Sequence, residues 1–319
     1  LCTEAKFPLF HALSIHYASF ICLHHYVDAL RVQGAVVNDS VIQSLKVEYG
    51  LDLPPVQQYF KWVSNIVLHG DLGFSFSYGR PVSGLIMERL PTTLGISLLT
   101  ILLTYAIAIP VGIYSATHQY SMLDYAFTLL GFIGLAMPGF LLALVLMFFA
   151  YKYLNLSVGG LFSPQYMGEP MSWAKFTDML GHLPIPVLII SLSGTAGLIR
   201  VLRGTLLDEL HKPYVDTARA KGLPEQKLLY RYPVRLALNP LISTIGWLLP
   251  AVFSGQTIID IVLNLPTIGP LLYEALRAKD TYLAGSIVMI LAFLTLLGTL
   301  LSDILLVVVD PRIRIEESS

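Results

Sequence analysis

The chain has 319 residues, of which 55% are hydrophobic and only 13% charged, with a formal net charge of −1 and a mean hydropathy of +0.68. Soluble domains carry roughly a quarter of their residues as charges, so this composition excludes an ordinary soluble protein. With no basic face in the sequence, it also excludes a nucleic-acid binder.

A helix crossing a bilayer core needs about 20 consecutive apolar residues, and the chain supplies several such runs in order. Residues 7–23 (FPLFHALSIHYASFICL) lack Lys, Arg, Asp and Glu and form the first expected span. They lie in an atypical N-terminal segment, 1–38, that shows no basic region or small-residue cleavage site of a signal peptide. His11, His16, His24 and His25 in this region raise the question of a metal site; the expectation is none, and no cofactor. Cys2 and Cys22 make no redox or metal motif and imply no disulfide framework.

After Pro54 and Pro55, the residues Val56, Tyr59, Phe60, Val63, Ile66 and Val67 recur at helical spacing, predicting an amphipathic helix whose apolar face packs on the transmembrane helices. Five further spans follow: 92–116, 125–151, 183–199, 238–259 and 281–309. The fold class is therefore an all-α polytopic membrane protein with about six transmembrane helices. Pro184, Pro186, Gly194 and Gly197 would loosen the third of these five spans or let it pack closely. Asp303 is the acid inside the last span. It lies about 10 Å from the end of that span at Asp310, and is expected to pair with a base near the cytoplasmic face.

Orientation follows from basic residues. Residues 203–235 hold seven of the chain's 20 Lys and Arg, against two in 152–182 and two in 263–280. The positive-inside rule puts 203–235 in the cytoplasm, and the other segments alternate from there. This places 28–91, 152–182 and 263–280 outside, and 117–124 and the tail from 310 inside. The five basic residues of 28–91 weigh little in so long a loop. Burying 203–235 in lipid would cost on the order of 25 kcal/mol for its charged side chains at roughly 2.5 kcal/mol each.

Within that segment, "KPYVDTARAKGLPEQKLLYRYPVRL" (212–236) reads as helix, glycine turn, helix. Pro213 suits the first helical position and Gly222 the left-handed residue that ends a helix. Pro224 can start the second helix, and Pro233 stops it. Thr217, Ala218 and Ala220 are small, leaving room for another protein's backbone. Such a bracketed pair of helices predicts a docking element rather than a plain solvated loop.

"YVDTARAKG" (214–222) resembles the cytoplasmic signature of binding-protein-dependent ABC transporter permeases, in which Glu-Ala-Ala is followed by three residues and Gly. Asp216, Thr217, Ala218 and Gly222 fall on that spacing, with Asp for Glu and Thr for the first Ala. "TARAKGL" is worded as in the peptide branch. The apolar-Pro element appears late, as "ALNP" (237–240). The stretches 70–99, "IPVGIYSA" (109–116), "MPGF" (137–140) and "SDILLVVVDPRIR" (302–314) resemble further family stretches in the same order, most closely the first of the two permeases of dipeptide and oligopeptide importers. Residues 1–38 depart from the family, which opens with a basic, strongly apolar helix and an Ala-Pro-Gly-Asp-Pro-like turn.

The resemblance implies a permease transmembrane domain over 39–315 and a cytoplasmic tail over 316–319. It implies one half of a translocation pathway for di- or oligopeptides, with nickel or another small solute as the alternative cargo. The implied partners are a second permease, two ATP-binding subunits and an extracytoplasmic substrate-binding protein, in a bacterial inner membrane. It also implies an ATPase-coupling motif at Tyr214, Asp216, Thr217, Ala218, Ala220, Lys221 and Gly222. The chain contains no G-x-x-x-x-G-K-[ST] phosphate loop, so ATPase activity is expected in the partners and not here. An ion-coupled secondary transporter would need buried acids and paired repeats, and an intramembrane enzyme a catalytic set; neither pattern is visible.

Overall fold

The computed structural model describes residues 53–309, apart from 155–158, 167–168, 170–171 and 255. The expected first span, the four N-terminal histidines, both cysteines and the tail lie outside the described residues. Among the described residues the chain is almost entirely helical. The helices are α1 (Pro55–His69), α2 (Val82–Thr117), α3 (Met122–Ala136), α4 (Gly139–Leu154), α5 (Trp173–His182), α6 (Pro184–Leu210), α7 (Pro213–Ala220), α8 (Glu225–Arg231), α9 (Pro233–Ala237), α10 (Asn239–Ser254), α11 (Thr257–Val262), α12 (Ile268–Arg277) and α13 (Thr281–Val309). A two-stranded hairpin, β1 (Phe74–Ser75) and β2 (Arg80–Pro81), precedes α2.

Helix α2, the combined α5–α6 and helix α13 are each long and apolar enough to cross a membrane, and α3 with α4 would add a fourth span. The chain is an all-α polytopic membrane protein. Two of the five apolar runs depart from straight spans. Run 125–151 is broken at Met137 and Pro138, where α3 and α4 diverge by 114°, because Pro138 cannot donate to the helical ladder. Run 238–259 is divided between α10, of 16 residues, and α11; at 1.5 Å per residue α10 covers only about 24 Å. Helix α6, in contrast, extends to Leu210, well past the predicted end at 199.

The chain divides into two compact units. The first comprises Leu1–Thr93, described from Leu53, and Thr267–Leu294. Its core gathers Trp62, Val82, Ile86, Ile268, Leu271 and Leu283. The buried Asp280 organises its polar side. One carboxylate oxygen accepts from Ser75 Oγ at 2.6 Å, Ser77 Oγ at 2.7 Å and Ser77 N at 3.1 Å, and the other from Leu283 N at 3.2 Å in the first turn of α13. Tyr78 donates to Glu274; burial first, then that carboxylate, pushes its hydroxyl pKa up to about 12. The buried face of α1 is rotated from the predicted one. Trp62 is buried with Tyr59, Val63 and Ile66 around it, whereas Val56, Phe60 and Val67 are exposed. Trp62 Nε1 donates to Leu72 O at 3.2 Å, and its indole packs in the core with Val82, Ile268 and Leu271.

The second unit comprises Leu94–Pro266 and Thr295–Ser319, described to Val309. Helix α6 is its hub and packs against α3, α4, α5, α9 and α10. The glycines mark close approaches. A Cβ on Gly112 would lie 2.9 Å from the Leu202 side chain, and one on Gly246 would lie 3.0 Å from Thr299 Cα. Ser302 Oγ donates to Ile242 O at 2.7 Å, and Tyr105 Oη to Leu241 O at 2.7 Å. The ion pair of Asp124 with Arg203, and the bond from Gly160 N to Leu263 O at 2.8 Å, each join segments that the alternation of spans puts on a common side. Asp303 is exposed and forms no ion pair among the described residues.

Candidate functional site

The basic segment folds as a tight hairpin of short helices. Helix α7 begins with Pro213 at its first position and is closed off by Gly222, just past its C-cap Lys221, with φ +75°. Gly222 N donates to Arg219 O at 3.0 Å and Leu223 N to Ala218 O at 3.3 Å. This pair of bonds is the Schellman closure, in which the left-handed residue satisfies carbonyls that the helix end would otherwise orphan. Pro224 is the N-cap of α8 rather than its first residue. At φ −58° and ψ 138° it leads into the helix from extended backbone, as Pro54 does at α1 with φ −56° and ψ 147°.

The two helices close on a small core of their own. Val215, Ala218 and Leu228 are buried, with Tyr214, Leu223 and Tyr232 packed around them. Ala218 is therefore small for an internal reason: it faces α8, and does not offer the external close approach expected of it. The outer surface carries Asp216, Thr217, Ala220, Lys221 and Gly222, all exposed. Arg219 ties the outside of the hairpin together, pairing with Asp216 at 3.1 Å within α7 and with Glu225 at 2.7 Å across the turn. The Arg219 guanidinium holds the Glu225 carboxyl below the usual glutamate range.

The hairpin is fastened to the end of α6. Tyr214 Oη donates to Glu209 Oε2 at 2.6 Å, and Lys212 pairs with Glu209 at 3.1 Å. On its other side α9 packs against α6, with Val234 and Ala237 in one core with Leu202 and Leu206. Of the seven residues predicted for the site, five thus share the outer surface, while Tyr214 and Ala218 hold the hairpin's shape.

Sequence reasoning missed the supports. Glu209 stands out in the sequence only as an acid three residues before Lys212. Leu223, Leu228 and Tyr232 show no periodicity across a glycine turn. The pair between Arg203 and Asp124 was also missed. Arg203 Nε and Nη2 donate to the two oxygens of the buried Asp124 at 3.2 and 3.1 Å, and Asp124 also accepts from Tyr120 N at 3.0 Å. The available signal is faint: Ser121 three residues before Asp124, a helix-start pattern, with Ser121 Oγ accepting from Asp124 N.

The family model for binding-protein-dependent transport system inner membrane components matches residues 108–315, which include the whole hairpin. The chain is 37% identical over 269 residues to the oligopeptide transport system permease protein AppB of Bacillus subtilis, covering 84% of this chain and 83% of that protein. It is 33% identical over 287 residues to the inner membrane ABC transporter permease protein YejB of Escherichia coli O157:H7, covering 89% and 78%. A putative peptide permease protein of Brucella suis is 30% identical over 291 residues, covering 91% and 89%. With most of each chain matched and the helix–glycine–helix element inside the matched region, the chain belongs to the family of binding-protein-dependent ABC transporter permeases.

Proposed function

We propose that the chain is one permease subunit of a bacterial inner-membrane importer of di- and oligopeptides, driven by ATP hydrolysis in separate subunits. It pairs with a second permease in an assembly with two ATP-binding subunits, docks on an ATP-binding subunit through the 213–232 hairpin, and receives cargo from an extracytoplasmic binding protein. The permease domain is taken as 39–315 and the tail as 316–319. Peptide cargo is supported by the names of the relatives, one an oligopeptide permease and another a putative peptide permease. The observation that carries the docking role is the geometry of the hairpin. An internally closed, doubly anchored element presents Asp216, Thr217, Ala220 and Lys221 outward, as a surface for a soluble partner requires.

The experiment is reconstitution. The complex in proteoliposomes should take up a radiolabelled tripeptide only with ATP and binding protein present, and the purified chain alone should hydrolyse no ATP. Proton-driven peptide uptake by the chain alone would refute the importer reading. ATP-driven uptake of nickel without peptide would keep the assembly and change the cargo.

A further inference from the structure

Arg200 is a charge in an unexpected place. Helix α6, together with α5, is long and apolar enough to cross a membrane, and its other arginine, Arg203, is neutralised by Asp124 in the first turn of α3. Arg200 lies one turn further into the span. It is exposed and makes no hydrogen bond or ion pair among the described residues. Its guanidinium instead sits over the ring of Phe132, with Cζ 5.2 Å from the centroid.

The direction of this side chain matters. Phe132 is about 12 Å further along α3 than Asp124, at 1.5 Å per residue. Helical side chains lean toward their own N-terminus, and for α6 that direction is into the span. The levels agree: Cβ atoms built on Gly131 and Gly134, which flank Phe132, would lie 3.9 and 3.8 Å from Ala196 Cβ, one turn before Arg200. An arginine facing lipid near a helix end extends toward the water interface. Arg200 does the opposite. A charge held at depth is a mark of a cation meeting water or an anion along a pathway.

The guanidinium lies over an aromatic ring and has its N–H donors unused among the described residues. The cation–π contact with Phe132 holds the charged group in place, and the planar fork of N–H donors remains for a ligand. That fork matches a carboxylate in two parallel bonds. Space is available beside it, since a Cβ on Gly197 or Gly204, one turn either side, would meet nothing within 4 Å. Peptides of any sequence share one anionic group, the C-terminal carboxylate.

We infer that Arg200, positioned by Phe132, is a recognition residue inside the translocation pathway that binds the C-terminal carboxylate of the transported peptide. The inference rests on the peptide-importer reading above. The test uses the whole reconstituted complex with its binding protein and compares uptake of a tripeptide with uptake of its C-terminal amide. Any preference of the binding protein is common to all variants and cancels in the ratio of the two rates relative to wild type.

Arg200→Gln should lower uptake of the free-acid peptide about 10-fold, the scale of one charged hydrogen-bonding contact, and the amide far less. Phe132→Leu, which keeps an apolar side chain and removes only the ring, should narrow the discrimination in the same direction and guards against a misassembled Arg200→Gln subunit. Equal loss for both peptides would overturn the inference, because a lipid phosphate or a partner's carboxylate would then be what Arg200 holds. Full discrimination retained in both variants would also overturn it. No uptake of either peptide by the wild-type complex would remove the peptide-importer reading, and this inference with it.

Discussion

Gly222 allows the hairpin to be tested by backbone conformation alone. Its φ is +75°, yet a Cβ placed there meets nothing within 4 Å in this chain. Substitution therefore adds no internal clash; it adds only the cost of a left-handed backbone, about 1–2 kcal/mol for an ordinary L residue and more for a β-branched one. Asparagine enters this region more readily. For wild type, Asn, Ala and Val at 222, the ratio of closed to open hairpin should fall in that order, by about 5- to 30-fold for a cost of 1–2 kcal/mol. The observables are abundance in the membrane, co-purification of the ATP-binding subunits and ATP-driven uptake. Abundance should stay near normal in all four, while co-purification and uptake follow the series. If Val behaves like Gly, the hairpin is not the coupling element. If Asn is as damaging as Val, a partner's surface occupies the space above Gly222, and the conformational argument fails.

Three further outcomes follow from the packing. Arg203→Met should destabilise the subunit in detergent more than Asp124→Asn, by about 3 kcal/mol or more in thermal melts, because the first leaves a buried carboxylate unpaired and the second leaves only a half-exposed guanidinium; equal effects would show that burial of Asp124 is unimportant. Gly246→Leu should cost about 1–3 kcal/mol by overpacking against the Thr299 backbone, whereas Gly204→Ala, with open space around it, should be close to silent in the same melt. Single cysteines at the exposed Gln165 and Gln226, in a background without native cysteines, should differ in labelling by an impermeant thiol reagent in cells lacking an outer barrier: position 165 reacts and 226 does not, and equal reaction would overturn the orientation.

What is legible in the sequence is whatever a local pattern encodes. Long apolar runs with at most one charged side chain mark most of the spans. Pro213, Gly222 and Pro233 bracket the hairpin, because a ring-fixed φ and a left-handed glycine act over one or two residues. What stays hidden depends on contacts between distant residues. Trp62 falls outside the apolar series of α1, since the choice of buried face is made by Val82, Ile268 and Leu271 across the core. Asp280 gives no signal of the four bonds it accepts from the 75–77 loop and α13. Ala218 reads as outward in the sequence for a similar reason: a small residue suits a close approach from either side, and only the position of Leu228 decides which.

The anchoring of the hairpin determines what kind of device it can be. A helix pair on a single flexible connection would swing when pushed, and little would reach the membrane. Here α7 is held at its start through Tyr214 and Lys212 to Glu209 on the last turn of α6. The chain leaving α8 is held again where α9 packs on Leu202 and Leu206 of the same helix. Two attachments to one helix remove the hinge, so a load on Asp216, Thr217 or Lys221 is delivered to α6 as a body. The same helix carries Arg203, locked to α3 by the bidentate pair with Asp124, and meets α3 again where Gly131 and Gly134 pass Ala196. Close-packed contacts of this kind transmit displacement rather than absorb it. The ladder is weakest at Met137 and Pro138, where α3 and α4 part by 114°, because a missing donor leaves that joint with fewer bonds to break than any helical turn beside it. Movement entering at the hairpin would therefore carry α6 with the lower part of α3 and be taken up at the Met137–Pro138 bend.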